Sequence, residues 1–600
     1  MRRLLLAIGA IWLGTLLYSS SAIGEDRPNV LLIMTDDQGY GDLSCHGNKL
    51  LKTPALDKLH AQSVRLTDFH VDPCCSPTRA ALLTGLYSTR TGVWHTVMGR
   101  SLLRRGAVTM ADVFAASGYR TGIFGKWHLG DNYPFRPQDR GFQEVVIHGG
   151  GAIGNVPDYW GNDYFDDTYL HNGKPQRYKG YCTDVWFNQA IKFIKANRER
   201  PFFCYLPTNV PHGPWRVPEK YAEPYRDKVG RVANFYGMIA NFDENLGRLL
   251  EELKKLGLEE NTIVIFLSDN GTAGGVQMDR AGHATGRYNA GMRGAKIWEY
   301  DGGHRVPCFI RWPAGRIGGG RDVEPIAAHF DLLPTLVELC KLKPPAGLKT
   351  DGRSLVPLLK DPAADWPART LFVHNQRVDH PVKGKNCQVM TDRWRLVNRG
   401  ELYDIKADPG QKNDVAAAHP RVVEKLRKKY EAWWDDMAAH FDVYDRTVIG
   451  SDKENPVTLW THDWHGPQLW DQSQVRRASP RNGFWAIEVE RDGKYQIELR
   501  RWPREVNRPI SAEIDGGKAI PITKARLLVG NLDSSLAVDG KMAAATFTVH
   551  LKAGPTCLQT WFVDEQSGQS RGAYYVYATR TGPADPALLD RYKPSKPKDD

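Results

Sequence analysis

The stretch His70–Gly85, HVDPCCSPTRAALLTG, sets two cysteines side by side and then runs through Ser-Pro-Thr-Arg into an apolar segment. A disulfide between Cys74 and Cys75 would need a strained ring, because sequence neighbours lie about 3.8 Å apart at Cα and bridged residues normally lie farther. One of the pair is therefore expected to have chemistry of its own. Ser76 can cap a helix and Pro77 fits a first helical position. Cys75 is then expected just before a helix N-terminus, where backbone N–H groups and the helix dipole favour an anion. Arg79, within the first turns, can point back to the same place. On these residues alone Cys75 is either a reactive thiolate or a buried structural cysteine. Two further groups bear on chemistry. NVLLIMTDDQGYGD, from Asn29, stops at Asp36-Asp37, and NTIVIFLSDNG, from Asn261, stops at Asp269-Asn270. An apolar run that ends on acids and a glycine reads as a strand buried on both faces that ends at a functional edge.

The elements that must position these residues follow the same logic. Between the two runs lie helical patterns, the clearest over Arg231–Leu256, where Val232, Phe235, Ile239, Phe242, Leu246, Leu249, Leu250 and Leu253 recur at helical spacing. Strands alternating with helices imply an α/β fold, a large, mainly parallel sheet covered by helices on both faces. Ligands bind such sheets at the carboxyl ends of the strands, so Asp36, Asp37, Asp269 and Asn270 are expected on one edge. This body is assigned to residues 25–370. Residues 371–445 read as a smaller α+β subdomain with an antiparallel sheet and a helix near Val422–Met437. Residues 452–580 read as an all-β sandwich-like domain, with Asp492-Gly493 as a hairpin turn between alternating runs, and 581–600 as a loose tail. The sandwich tryptophans Trp460, Trp464, Trp470, Trp485 and Trp502 are either a sugar-stacking face or core.

Bulk properties narrow the class. Residues 1–24, MRRLLLAIGAIWLGTLLYSSSAIG, combine a basic start, an apolar run of about 15 residues and small residues near a cut site, the pattern of a secretory signal peptide rather than a spanning helix. No later segment is long and apolar enough to span, so an exported chain without a stable membrane anchor, periplasmic or extracellular, is expected. Net charge is +11, but the basic residues are scattered, with no zinc-finger spacing or basic helix, which gives no support to nucleic acid as a partner. Nine cysteines is an odd count with no metal-ligand spacing.

CSPTRAALLTG resembles the sulfatase signature Cys-x-Pro-x-Arg followed by Thr-Gly. GYRTGIFGKWHLG, Gly118–Gly130, resembles the second signature of that family, and ELYDIKADPGQKND is similar to the end of its smaller subdomain. The resemblance spans about residues 28–440 and is to the formylglycine-dependent, arylsulfatase-like members of the alkaline phosphatase superfamily. It implies that a maturation enzyme oxidises Cys75 to formylglycine, whose hydrated aldehyde attacks sulfur and leaves a sulfated hemiacetal. Asp36 or Asp37 would draw off the nucleophile's proton, and His212 or Lys296 would protonate the leaving alcohol. His128 would take the proton from the second hydroxyl to expel sulfate, while Arg79 and Lys126 neutralise charge. Lys126 and His128, two apart in a stretch read as extended, can leave one face while Trp127 turns into packing. The resemblance also implies a divalent cation. Asp36, Asp37, Asp269, Asn270 and the hydrate at Cys75 offer only oxygen, which suits calcium, or magnesium, and argues against zinc.

Two long glycine-rich segments, one after residue 140 and one between Asn270 and Lys296, carry His, Arg, Tyr and Trp as pocket walls over a rigid edge would. Aromatic side chains with arginines suit a sulfated sugar. Three readings follow: a sulfatase acting on a sulfated carbohydrate, with Lys126, His212 and Lys296 on the sulfate and aryl sulfates as surrogates; a phosphodiester or phosphonate monoester hydrolase of the same superfamily; and an inactive sugar-binding relative.

Overall fold

The structure, a computed structural model, describes residues 27–596. The signal-peptide assignment at residues 1–24 lies outside the described residues. Among those described, no helix is long and apolar enough to cross a membrane.

Every residue of the strand Asn29–Thr35 is buried. Val30, Leu32 and Met34 enter one core and Leu31 and Ile33 another, so the run is continuously apolar because both of its faces are covered. This strand is central in a ten-stranded sheet. It pairs in parallel with Thr262–Ser268 on one side and with Phe202–Pro207 on the other. Arg120–Lys126 and Glu144–His148 extend the parallel run, and antiparallel strands, Cys308–Arg311 and Thr168–His171, flank it at either side. On one face pack the helices Cys182–Ala196 and Ala233–Lys255, through Trp186, Phe242 and Leu246. On the other pack Cys75–Thr84, Met110–Ala116 and Leu332–Leu339, through Leu82, Val113 and Leu332. Each such large apolar side chain removed from water stabilises by about 1.5–3 kcal/mol. The mainly parallel α/β body expected from the sequence is what forms.

The smaller subdomain is a four-stranded antiparallel sheet, from Leu371–His374 to Glu401–Asp404, closed by the helix Pro420–Ala438 through Leu426, Tyr430 and Trp434. The C-terminal region is all β, with a six-stranded and a four-stranded sheet around a core that contains Trp464, Trp485 and Trp502. Those three tryptophans are therefore packing. Trp460 and Trp470 are half-buried.

Three details depart from the sequence reading of this region. Asp492-Gly493 does not join a hairpin: Phe484–Val489 pairs with Gly554–Val563, whereas Gly493–Arg500 pairs with Ala545–Leu551 and Tyr575–Gly582 in the facing sheet. The turn carries the chain between sheets. Alternation fixes which side chains face inward but not which strand lies alongside. The sandwich also begins earlier than residue 452, since Thr447–Ile449 is the edge strand beside Phe484–Val489. The described part of the tail is not loose. Asn531 binds the carbonyl of Arg591 at 2.9 Å and accepts from the amide of Lys593 at 2.6 Å, with Tyr592 buried between them.

Candidate active site

Register brings the acids together. Thr35 stands opposite Ser268, so Asp36-Asp37 and Asp269-Asn270 leave adjacent parallel strands side by side at the carboxyl edge. Phe202–Pro207 leads into the loop that carries His212, and Arg120–Lys126 ends on Lys126 itself. Asp37 has φ 70, a left-handed conformation unusual for a residue with a side chain. Its amide is held by Asp269 Oδ1 at 3.0 Å. The stretch after Lys126 is not extended as expected, because His128 has φ 60. The chain bends there, Trp127 turns into the core with its Nε1–H on the Phe135 carbonyl, and His128 still reaches the site. Glycine makes room for it. A Cβ on Gly151 would stand 2.3 Å from His128 Cε1.

The helix that carries Cys75 also begins two residues earlier than expected. Cys75 is its first residue, the extended residue before it is Cys74 (φ −153, ψ 161), and Ser76 makes no cap. Pro77 is tolerated because the amides of a first helical turn have no intrahelical acceptor. Cys74 is buried with its thiol 3.5 Å from Asn375 Oδ1. Burial and the neighbouring Cys75 push that thiol well above its ordinary range, so Cys74 is not a thiolate.

All ten expected residues meet at this edge. Lys126 Nζ lies 2.7 Å from Asp36 Oδ2, Arg79 Nη2 2.7 Å from Asp269 Oδ2, and Lys296 Nζ 2.7 Å from Asp37 Oδ1. Asn270 donates to Asp37 Oδ1 at 2.9 Å, and His212 Nε2 lies 3.7 Å from Asp37 Oδ2. Burial raises all three carboxyls. Lys126 overcomes it at Asp36, and Lys296 with His212 overcomes it at Asp37, so both stay below the usual carboxylate range. At Asp269 burial and the charge of Asp36 prevail over Arg79, and its carboxyl is pushed up. Burial, then Lys126, pushes His128 well down, and burial, then Lys296, lowers His212. At Lys296 burial is outweighed by Asp37, which holds the ammonium charged.

The donor set fits a hard divalent cation. Asp36 Oδ1 and Asn270 Oδ1 are buried and have no hydrogen-bond partner, and a ligand atom each from Asp36, Cys75 and Asp269 lie within 4.8 Å of one another. Unpaired buried oxygens cost free energy unless something binds them, and oxygen donors select calcium or magnesium.

Cys75, His128, His212 and Lys296 line a cavity of about 190 Å³. Gly151, Ala152 and Asn155 from the first glycine-rich segment line it too, as expected. The second segment does not: it folds into a hairpin, Val276–Met278 with Ala284–Arg287, and only Lys296 and Ile297 just after it reach the cavity. Sequence reasoning missed Thr96, Arg377 and His462. The cluster THDWH at 461–465, rich in histidine inside a β region, was the available signal for the last. A larger cavity of about 290 Å³ lies elsewhere, walled by Asp131, Asp158, Glu454 and Glu505. Burial raises Asp158 to about 8 and Glu454 to about 7, and none of the ten expected site residues lines this cavity.

Buried cations and oxygen donors around a helix start, on the edge of a parallel sheet, define a hydrolase site for an anionic ester. The Sulfatase family model matches residues 28–342, and the model for the C-terminal part of N-sulphoglucosamine sulphohydrolase matches residues 294–435. The chain is similar to the N-acetylgalactosamine-6-O-sulfatase of Bacteroides thetaiotaomicron, with 29% identity over 68% of this chain and 93% of that protein. It is similar to human arylsulfatase A, with 32% identity over 67% and 86%. Among solved structures, Ps i-CgsB in complex with k-i-k-neocarrahexaose aligns with TM-score 0.60 and 26% identity over 69% of this chain and 94% of that one. The chain belongs to the sulfatase family and is a sulfuric ester hydrolase.

Proposed function

We propose that the protein is an exported sulfatase that releases sulfate from a sulfated carbohydrate, using an aldehyde made from Cys75 by a host maturation enzyme. The observation that carries this is the placement of Cys75 as the first residue of a buried helix, with a ligand atom each of Asp36 and Asp269 within 4.8 Å, buried Arg79 and Lys126 paired with those acids, and half-buried Lys296 paired with Asp37. The pattern of residues 1–24 supports export. The carbohydrate is supported by the names of the galactosamine sulfatase and of the oligosaccharide complex it resembles.

Hydrated, the aldehyde would supply a nucleophilic hydroxyl and a second hydroxyl for release, and Asp36, Asp37, Asp269 and Asn270 would hold a calcium ion, or magnesium, that would supply positive charge for the sulfate. The other tasks fall to this chain's side chains. Arg79 is fixed by Asp269 and by the Lys126 carbonyl at 3.1 Å, so its charge is oriented before substrate arrives. Lys126 stands beside Asp36 and balances the nucleophile's charge, and Asp36 or Asp37 takes its first proton. His128 has Nε2 2.8 Å from the Thr96 carbonyl. A carbonyl only accepts, so the proton sits on Nε2 and leaves Nδ1, which has no partner, free to take the proton from the second hydroxyl. His212 and Lys296 line the cavity wall and protonate the departing sugar oxygen between them.

Sulfate release from p-nitrophenyl sulfate and from a panel of sulfated monosaccharides tests the reading. Turnover of both classes is expected. Faster hydrolysis of a phosphonate monoester or a phosphodiester than of any sulfate would overturn it.

A further inference from the structure

One wall of the cavity beside Cys75 comes from the C-terminal sandwich, through His462 and Trp470, beyond the residues that the family models match. That segment is fastened to two loops that also line the cavity. The Met98 amide donates to the His462 carbonyl at 2.9 Å and the Val156 amide to the Trp470 carbonyl at 2.8 Å. Gln472 donates through its backbone to Gly154 at 3.1 Å and through its side chain to the Asn155 carbonyl at 3.1 Å. The sandwich is thus part of the cavity's construction.

The His462 imidazole is 2% exposed, and its Nδ1 lies 2.8 Å from Asp463 Oδ1. A carboxylate only accepts, so Nδ1 carries a proton toward Asp463 and Nε2 is the ring nitrogen left available as an acceptor. Nε2 is buried and has no partner, and the ring stands 5.7 Å from that of His128. The neighbouring Lys296 and Arg377 can only donate. A sulfate group has acceptors alone and satisfies those two cations, but it offers nothing to a lone pair. A hydroxyl group does. Trp470, half-buried on the same wall, supplies the apolar face against which a sugar ring can lie.

We infer that His462, held by Asp463, and Trp470 form the sugar-binding half of the substrate site: His462 Nε2 accepts a hydrogen bond from a hydroxyl of the sulfated ring, and Trp470 packs on that ring. This rests on the sulfatase reading, and the test separates the two. For full-length wild type, His462→Ala, His462→Gln, Trp470→Ala and Trp470→Phe, kcat/KM is measured on p-nitrophenyl sulfate, which has no hydroxyl group, and on the monosaccharide sulfate that wild type turns over best. Deoxy analogues of that sugar are measured alongside. The ratio of sugar to aryl sulfate kcat/KM is expected to fall about 10–100-fold in His462→Ala, as for loss of one buried hydrogen bond, and less in His462→Gln, which keeps an acceptor. Trp470→Ala should raise KM for the sugar, and Trp470→Phe should recover most of it. In wild type one deoxy analogue should lose a similar factor, and His462→Ala should lose no more on that analogue. An unchanged ratio in His462→Ala, or no deoxy position that matters in wild type, would overturn the inference. So would hydrolysis of the aryl sulfate with no sugar turned over. Wild type that releases sulfate from neither the aryl sulfate nor any sugar sulfate would instead count against the sulfatase reading.

Discussion

Among the described residues, two of the buried charge clusters are built from the same kinds of residue, and of these two one has the form of an active site. At the first, Asp68 and Asp301 share Arg395, with Nη2 2.8 Å from Asp68 Oδ1 and Nε 3.1 Å from Asp301 Oδ1. His70 pairs with Asp68 at 3.0 Å and meets His304 at 2.9 Å, and Gln388 donates to Asp301 at 2.9 Å. Both oxygens of Asp301 and Oδ1 of Asp68 have partners, and the buried unpaired oxygen of this network is the neutral Oε1 of Gln388. The cluster fastens the strand Trp394–Val397 of the smaller subdomain to the main body. At the sheet edge, by contrast, Asp36 Oδ1, Asn270 Oδ1 and His128 Nδ1 are buried and unpaired, Asp37 and His128 hold left-handed backbone, and a cavity opens beside them. Buried charge alone does not mark function, since a closed network of it fastens elements together. Unmet polar atoms facing a cavity do mark it.

Substitutions can break that contrast. The largest effect is expected at Cys75→Ala, with turnover on p-nitrophenyl sulfate falling roughly 10⁴-fold or more while the thermal midpoint stays close to wild type. A comparable fall in the midpoint would make Cys75 a packing residue. Next, prolonged chelation should remove activity and leave the fold intact, and calcium should restore it. Full activity in metal-free protein, or stoichiometric zinc in the active form, would contradict an oxygen-only site. At the closed cluster the effect should move from rate to stability. Arg395→Leu leaves Asp68 and Asp301 buried without their cation and is expected to cost about 3–5 kcal/mol in denaturant unfolding, with kcat per folded molecule little changed. Smallest is Gly151→Ala. Its Cβ would displace the His128 ring, and kcat should fall about tenfold without loss of metal.

Much of this was legible in the sequence, and the residues show why. Apolar runs that stop at Asp36-Asp37 and Asp269-Asn270 could be read as strands with a shared edge, because a strand covered on both faces has no polar position until it leaves the core. Cys75 and Arg79 were legible as a helix start with a basic residue behind it. The bend at His128 was not, since a left-handed residue outside glycine leaves no compositional trace. Nor was the crossing at Asp492-Gly493, because an Asp-Gly turn serves a link between facing sheets as well as a hairpin. His462 was the hardest. One histidine among strands has no partner in sequence, and what distinguishes it is that it lines the same cavity as Gly151, Asn155 and His128, about 300 residues upstream.

The most direct measurement is mass spectrometry of the peptide containing residue 75, taken from protein whose sulfate release has been titrated. An aldehyde at residue 75 is expected, in a fraction that rises in proportion to specific activity across preparations. Fully active protein in which residue 75 is an unmodified thiol would contradict the assignment of Cys75 as the precursor of the nucleophile.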